Sequence, residues 1–397
     1  MIRGYVLTAQ WTRWFRGRAP ATCYLLVAQR KRWRRSTETV ASLNGDGFAA
    51  RPHICGRAAV RCGHCPTHPK WERSRVVGAF PMIANRSGGG FTISGVRTED
   101  REKALRILFA RFPPDEQGCR LEATLRAVAA GTLRLEGLRW AVQDGLPVGA
   151  ALAMEQPDGI ALVWPPTMTC AAEDAQAVED ALLADLAQWL DATPARMAQI
   201  LLDPDEISDA SVYERHGFRH RTELFFVARS LHEPLPDWHL GELSAEAFDA
   251  SRNADRFAAA IEASYRGSLD CHWLEGVRSG REALASHQLS GRWEPALWHL
   301  YVVDGRDVGL LLLNDHPDQD AMELVYFGVD PRARGRGYGR ALVGHALTQA
   351  VARGRSLLFA AVDAANTYAN AIYAEAKFVE LARRQALFRF PGGLARE

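Results

Sequence analysis

From Phe91 onward, apolar positions recur with two alternating periods, one of two residues and one of about 3.6. Phe91–Val96 alternates and predicts a strand, and Thr98-Glu99-Asp100 then opens a helix with acids in its first turn. That helix gathers Ala104, Leu105, Leu108 and Phe112 on one face and stops at Pro113-Pro114. Leu121–Ala130 predicts a second helix. Leu138–Val142 and Pro147–Met154 predict a hairpin about Asp144-Gly145. A strand at Ile160–Trp164 ends at Pro165-Pro166. A helix at Asp174–Leu190, a strand at Met197–Leu202, a short helix from Ser211–His216 and a strand at Thr222–Ala228 follow.

The same order then recurs. Trp238–Leu243 reads as a strand, and Ala247–Ser264 and Arg278–Gln288 read as helices. Trp298–Val303 and Val308–Asn314 form a hairpin about Asp304-Gly305, and Met322–Val329 is a long strand. A helix at Gly339–Ala352, a strand at Ser356–Val362, a short helix at Asn370–Ala376 and a strand at Ala386–Phe390 close the series. Two halves of one order imply a tandem duplication, residues 91–232 and 238–397, joined at Pro234-Leu-Pro236.

The leader is residues 1–90, and within 1–81 neither period runs over any useful length. Within 1–81 stand 15 Lys and Arg against 3 Asp and Glu, a net of +12, so the overall +1 conceals a body of −11. Trp11, Trp14, Phe15 and Trp33 are scattered among those arginines. Three readings of this leader stand side by side: a basic arm for nucleic acid, with aromatics that stack on bases; a small zinc site from Cys55, Cys62, Cys65 and His53, His64 or His68; or an extension that does not fold, with Met82 as the real start. The acidic body argues against a nucleic-acid partner. No apolar run approaches the roughly 20 residues that cross a bilayer. The clustered, odd set of seven Cys is no secreted disulfide framework, which points to a reducing cytoplasm.

The chemistry concentrates in Met322–Val343. A strand runs into Asp330-Pro-Arg-Ala-Arg-Gly-Arg-Gly-Tyr-Gly-Arg340, and a helix starts there. Gly335, Gly337 and Gly339 permit unusual dihedrals and a close ligand approach, and successive N–H groups at a helix start suit a pyrophosphate. Arg332, Arg334, Arg336 and Arg340 supply positive field. Neither a Gly-Lys-Ser/Thr phosphate loop nor a dinucleotide-binding Gly-x-Gly-x-x-Gly is present there.

Arg334-x-x-Gly337-x-Gly339 resembles the acetyl-CoA pyrophosphate signature of the GCN5-related N-acetyltransferase (GNAT) family. Asn366-x-x-Ala369-x-x-x-Tyr373-x-x-x-Lys377-Phe378 resembles that family's second motif, with Lys377 where Gly is usual. In the first half, Tyr213-x-x-x-Gly217-Phe218 is similar to the second motif, but Trp164-Pro-Pro-Thr-Met-Thr-Cys-Ala-Ala172 replaces the Arg/Gly turn. The first half therefore resembles a degenerate copy, and the arrangement is similar to that of tandem GNAT proteins. The resemblance implies an α/β fold with a mixed, mostly antiparallel sheet and helices on both faces.

It further implies direct transfer of an acetyl group from acetyl-CoA, as co-substrate and without a metal, to a primary amine of a small molecule or peptide. Phe327, Gly328 and Val329 would pair with pantetheine and polarise the thioester. Arg334, Gly335, Arg336, Gly337, Tyr338, Gly339, Arg340 and Asn366 would hold the rest of the CoA. Glu323 is the candidate base and Tyr373 the candidate acid. Asp270, Cys271, His272 and Tyr326 are candidate acceptor-pocket residues, and the first half would form one wall of that pocket or a structural partner. Two rivals remain: a non-catalytic CoA-binding or regulatory module, and a nucleic-acid-associated acetyltransferase that uses the leader.

Overall fold

The computed structural model describes residues 85–86, 90–156, 158–204, 210–270 and 275–391. The three leader readings, and Cys271 and His272, lie outside the described residues. The first half comprises β1 (Asn85–Arg86), β2 (Phe91–Gly95), α1 (Arg101–Phe109), α2 (Pro114–Ala129), β3 (Gly137–Gln143), β4 (Leu146–Glu155), β5 (Ile160–Met168), α3 (Ala172–Asp191), β6 (Met197–Leu202), α4 (Ala210–Arg215) and β7 (His220–Ser230). The second comprises β8 (Ser244–Ala247), α5 (Ala254–Tyr265), α6 (Gly280–His287), β9 (Trp298–Val303), β10 (Arg306–His316), β11 (Ala321–Val329), α7 (Tyr338–Ala352), β12 (Leu357–Asp363), α8 (Thr367–Glu375) and β13 (Val379–Arg389).

The thirteen described strands form one sheet in the order β1-β2-β3-β4-β5-β6-β13-β7-β12-β11-β10-β9-β8. Only β5–β6 and β11–β12 pair parallel, so the sheet is mixed and mostly antiparallel. Each half lends its last strand to the other. β13 pairs with β6 over Gln385–Arg389, and β7 pairs with β12 over Leu224–Ser230. Buried Leu224, Phe226, Ala386 and Phe388 accordingly share one core with α1 and β4. The halves interlock through backbone hydrogen bonds and a common apolar layer, so neither sheet is complete without the other.

Three expectations about elements are corrected. The segment Trp238–Leu243 is not a strand: Gly241 turns at φ +57, and Leu243 is buried while Trp238 and Leu240 pack against the second-half core. The edge strand β8 starts only at Ser244, and the following helix starts at Ala254, after a turn in which Asp249 accepts from Ser251. Pro165-Pro166 do not end β5. They fall where the β4–β5 register shifts, between the pairs Ala150–Thr167 and Leu152–Trp164, and beyond the last pairing with β6 at Val163. A proline at a bulge forfeits no ladder bond.

Candidate active site

Strands β11 and β12 pair only at Ala321–Glu323 with Leu357–Phe359 and then part. On its other edge β11 stays paired to β10 as far as Val329. The edge of Leu324–Val329 that faces away from β10 therefore opens into a cleft of about 730 Å³, floored by β11 and flanked by the starts of α7 and α8 and the end of α5. One extra residue bulges β11 between the partners of Leu312 and Leu313, which re-aims the side chains beyond it. The sequence places an apolar strand, a Gly-rich turn and a helix in succession, and the fold turns that succession into a wall, a corner and a positive helix end.

Gly335 and Gly337 adopt φ of +80 and +84, with open space where a Cβ would stand. Their role is conformational: the left-handed backbone turns the chain into α7, whose first bond back to the turn is Arg340 N–H to the Gly337 carbonyl, 3.0 Å. The N–H groups before it are the unmatched donors of a helix start and face the cleft corner. Gly339 serves instead for packing, since a Cβ there would stand 2.8 Å from Ile372 of α8.

The expectation of four arginines as free positive field is narrowed. Arg332 pairs with Asp330 at 3.1 Å, and this pair holds the Asp330 carboxyl below its usual range. Arg340 pairs with Glu375 at 2.7 Å while still lining the cleft. Arg336 sits beside the Tyr338 hydroxyl, which also donates to Glu242. Arg334 directs its guanidinium at backbone: it donates to the carbonyls of Val329, Ser264, Gly267 and Arg266 at 3.3, 2.9, 2.9 and 3.0 Å. It thereby ties the end of α5 to the turn. At this corner of the cleft the groups left to meet a ligand are chiefly main-chain N–H groups at the start of α7.

Asn366 caps α8, its Oδ1 accepting from Ala369 N–H at 3.1 Å, and it lines the cleft. Tyr373 is 2% exposed and also lines the cleft, its ring edge-on to Phe327 at 6.1 Å and against Phe378 at 4.9 Å. Phe327, Gly328 and Val329 line the floor, and Asp270 and Tyr326 stand at the α5 end of the cleft.

Glu323 occupies a different place from the cleft residues around it. It is 4% exposed, and Leu324 and Val325, not Glu323, line the cleft. Ser290 donates to its Oε2, and His316 Nε2 lies 3.0 Å from the same oxygen. Burial pushes its carboxyl up, while His316 and then Ser290 pull against that. The sequence offered a strand-start position near the cleft, and the register of β11 turns that carboxylate into the layer behind it. The sequence also gave no prominence to Ser264, Tyr265 and His287, which pack around Tyr326. Ser264 and Tyr265 end the helix that precedes Ser268–Trp273, which was the available signal.

In the first half the equivalent tyrosine, Tyr213, donates to Glu179 of α3 at 3.0 Å. Trp164, at the end of the β5–β6 pairing, stands edge-on to Phe109 and Phe112 at 5.7 and 5.9 Å. Aromatic core occupies the position after Val163, and no arginine-rich turn follows.

Residues 261–378 match the family model described as Acetyltransferase (GNAT) family. A mycothiol acetyltransferase of Beutenbergia cavernae is 30% identical over 166 residues, 36% of this chain and 55% of that protein, so the chain spans about half the length of this curated relative. A GCN5-related N-acetyltransferase from Sphaerobacter thermophilus has a similar fold, with a TM-score of 0.53 at 18% identity, covering 76% of this chain and 96% of that one. Among the described residues no three His, Cys, Asp or Glu side chains group as a metal site, and no helix is long and apolar enough to cross a membrane. With a strand pair that parts beside a Gly-rich helix start, and that match in the second half, residues 261–378 form a domain of the acetyltransferase (GNAT) family.

Proposed function

We propose that the second half binds acetyl-CoA in the cleft and transfers its acetyl group directly to a primary amine of a small molecule or peptide. The observation that carries this reading is the open edge of β11, ending in unmatched N–H groups at the start of α7. Pantetheine would add to that edge as a short strand, with the pyrophosphate at Gly335 to Gly339. Both substrates would then lie in one cleft, so the amine nitrogen attacks the thioester carbonyl without a covalent enzyme intermediate. The carbonyl oxygen gains charge beside the Phe327–Val329 backbone. Glu323 is the proposed proton acceptor, acting through water from behind Leu324 and Val325. Burial raises its carboxyl above the ordinary glutamate value, which strengthens it as a base. As the C–S bond breaks, the departing thiolate takes a proton from the Tyr373 hydroxyl.

The seclusion of Glu323 favours one second reading, a CoA-binding module that transfers nothing. Calorimetric titration with CoA and with acetyl-CoA, followed by thiol detection in the presence of amines, separates the two. Binding with release supports transfer, binding without release supports the module, and neither binding nor release overturns both.

A further inference from the structure

Behind the cleft wall, the end of β10 and the loop after α6 close over Glu323. Asn314 stands opposite Glu323 in the β10–β11 ladder, and His316 follows two residues on. Asn314 Nδ2 donates to the carbonyls of His287 and Ser290 at 2.7 and 2.6 Å, while its Oδ1 accepts from Trp298 Nε1 at 3.1 Å. The Ser290 backbone is fixed in this way, and its hydroxyl donates to Glu323 Oε2. Gly291, the next residue, adopts φ +60 and packs on the His316 ring, where a Cβ would stand 2.5 Å from Nε2. Phe359, which pairs with Glu323 from β12, lies against the same imidazole with ring centroids 5.3 Å apart. The ring is thus held with Nε2 3.0 Å from Glu323 Oε2.

A carboxylate only accepts, so Nε2 of His316 carries the hydrogen when Glu323 is ionised. Two donors therefore meet on Oε2, and Oε1 has no hydrogen-bond partner among the described residues. The network runs unbroken from Trp298 through Asn314 and Ser290 to Oε2, and Oε1 is left for a proton. Burial raises the Glu323 carboxyl, and the His316 hydrogen bond and charge, then the Ser290 hydroxyl, act against it. The other titratable groups around it are engaged or silent. Asp315 of β10 is turned to Arg292 and Arg355, at 2.9 and 2.6 Å. His287 of α6 is held neutral by burial, and β12 presents Phe359. Among the described residues, His316 is the titratable group in contact with Glu323.

We propose that His316 and Ser290 are positioning residues for the proton acceptor: they hold Glu323 by Oε2 and so leave Oε1 as the atom that takes the proton from water. This rests on the reading of Glu323 as the base. As the amine N–H bond breaks, an O–H bond forms at Oε1 by way of that water, and Oε2 keeps both donors. The proton later leaves Oε1 to solvent by the same route. Donors fixed before the reaction spare the carboxylate a search among rotamers.

The test compares His316→Met and Ser290→Ala with the wild type in the full chain. Loss of either donor withdraws support from the ionised carboxylate, so the acid limb of the kcat/KM profile for the amine should move to higher pH. At neutral pH kcat should fall about tenfold while acetyl-CoA affinity stays within about twofold. His316→Gln, which keeps an N–H donor, should recover part of both effects. A fall in kcat and melting temperature with the acid limb unmoved would be packing support alone and overturns the proposal. The carboxyl C=O infrared band of Glu323, identified by its loss in Glu323→Gln, gives a readout that needs no activity. The pH midpoint of that band should rise in both variants, and an unchanged midpoint overturns the proposal. A raised midpoint in a protein that transfers no acetyl group supports the hold on Oε2 and counts against Glu323 as a base alone.

Discussion

Lys377 occupies in the second half the backbone position that Gly217 occupies in the first. Each follows a short helix with a tyrosine four residues earlier, and each is left-handed, with φ of +62 and +88. The closing bonds also match: Phe378 N–H to the Tyr373 carbonyl at 2.9 Å, and Phe218 N–H to the Tyr213 carbonyl at 3.0 Å. The two turns share one geometry, and only the first carries the residue that adopts it freely.

A side chain in that region costs roughly 1–2 kcal/mol, partly offset because glycine is freer in the unfolded chain. Lys377→Gly is therefore expected to stabilise the protein by a few tenths to about 1 kcal/mol. Denaturant unfolding checks this, with Lys377→Ala as the control that should bring no gain.

Acid sensitivity follows from the buried imidazoles. Burial, then the charge of His345, lowers His299 to about 4 from an ordinary 6.5. Between those values the unfolded chain binds the proton and the folded chain does not, so stability falls as pH drops from 6.5 to about 4. The linkage is on the order of 3 kcal/mol, and His345 and His287, also lowered, act in the same direction. His299→Gln should flatten the slope of unfolding free energy against pH in that window. An unaltered slope would assign the effect elsewhere.

Because Arg334 donates to three carbonyls at the end of α5 and to that of Val329 at the end of β11, its fork geometry matters as much as its charge. Arg334→Lys and Arg334→Met should both weaken CoA binding about tenfold, in keeping with the loss of one or two charge-assisted hydrogen bonds at an exposed site. Calorimetry with CoA distinguishes this from a plain phosphate contact, which lysine would largely replace.

At Gly328 a Cβ would stand 2.5 Å from Ser264 Oγ and 3.0 Å from the Tyr326 hydroxyl, with the Ser264 Cβ at 2.6 Å. Gly328→Ala is expected to push Ser264 and Tyr326 apart and to raise the amine KM more than the acetyl-CoA KM. Steady-state kinetics with each substrate varied in turn reads the split.

Much of this was legible in the chain. The alternating periods located most strands and helices, and the Arg/Gly turn with Tyr373 pointed to one cleft in the second half. Three things were not legible, each because it depends on long-range register. The exchange of β7 and β13 between halves leaves no local mark, since a strand's own side-chain pattern does not name the neighbour it pairs with. The turning of Glu323 behind the cleft wall follows from strand register and the bulge at the Leu312–Leu313 partners. The commitment of Arg334 to carbonyls at and just past the end of α5 joins residues 67 to 70 positions apart. Pro165-Pro166, taken as a stop, is tolerated because a bulge and a parted neighbour leave those N–H positions without a ladder partner.

The central claim is that an acetyl group leaves CoA for an amine in the second-half cleft. It is tested most directly by incubating the protein with acetyl-CoA and a panel of small-molecule and peptide amines while following free thiol. The account predicts thiol release that requires one class of amine, matches the acetylated product mole for mole, and falls sharply in Tyr373→Phe with CoA affinity retained. No release with any amine, together with no binding of CoA, would contradict it.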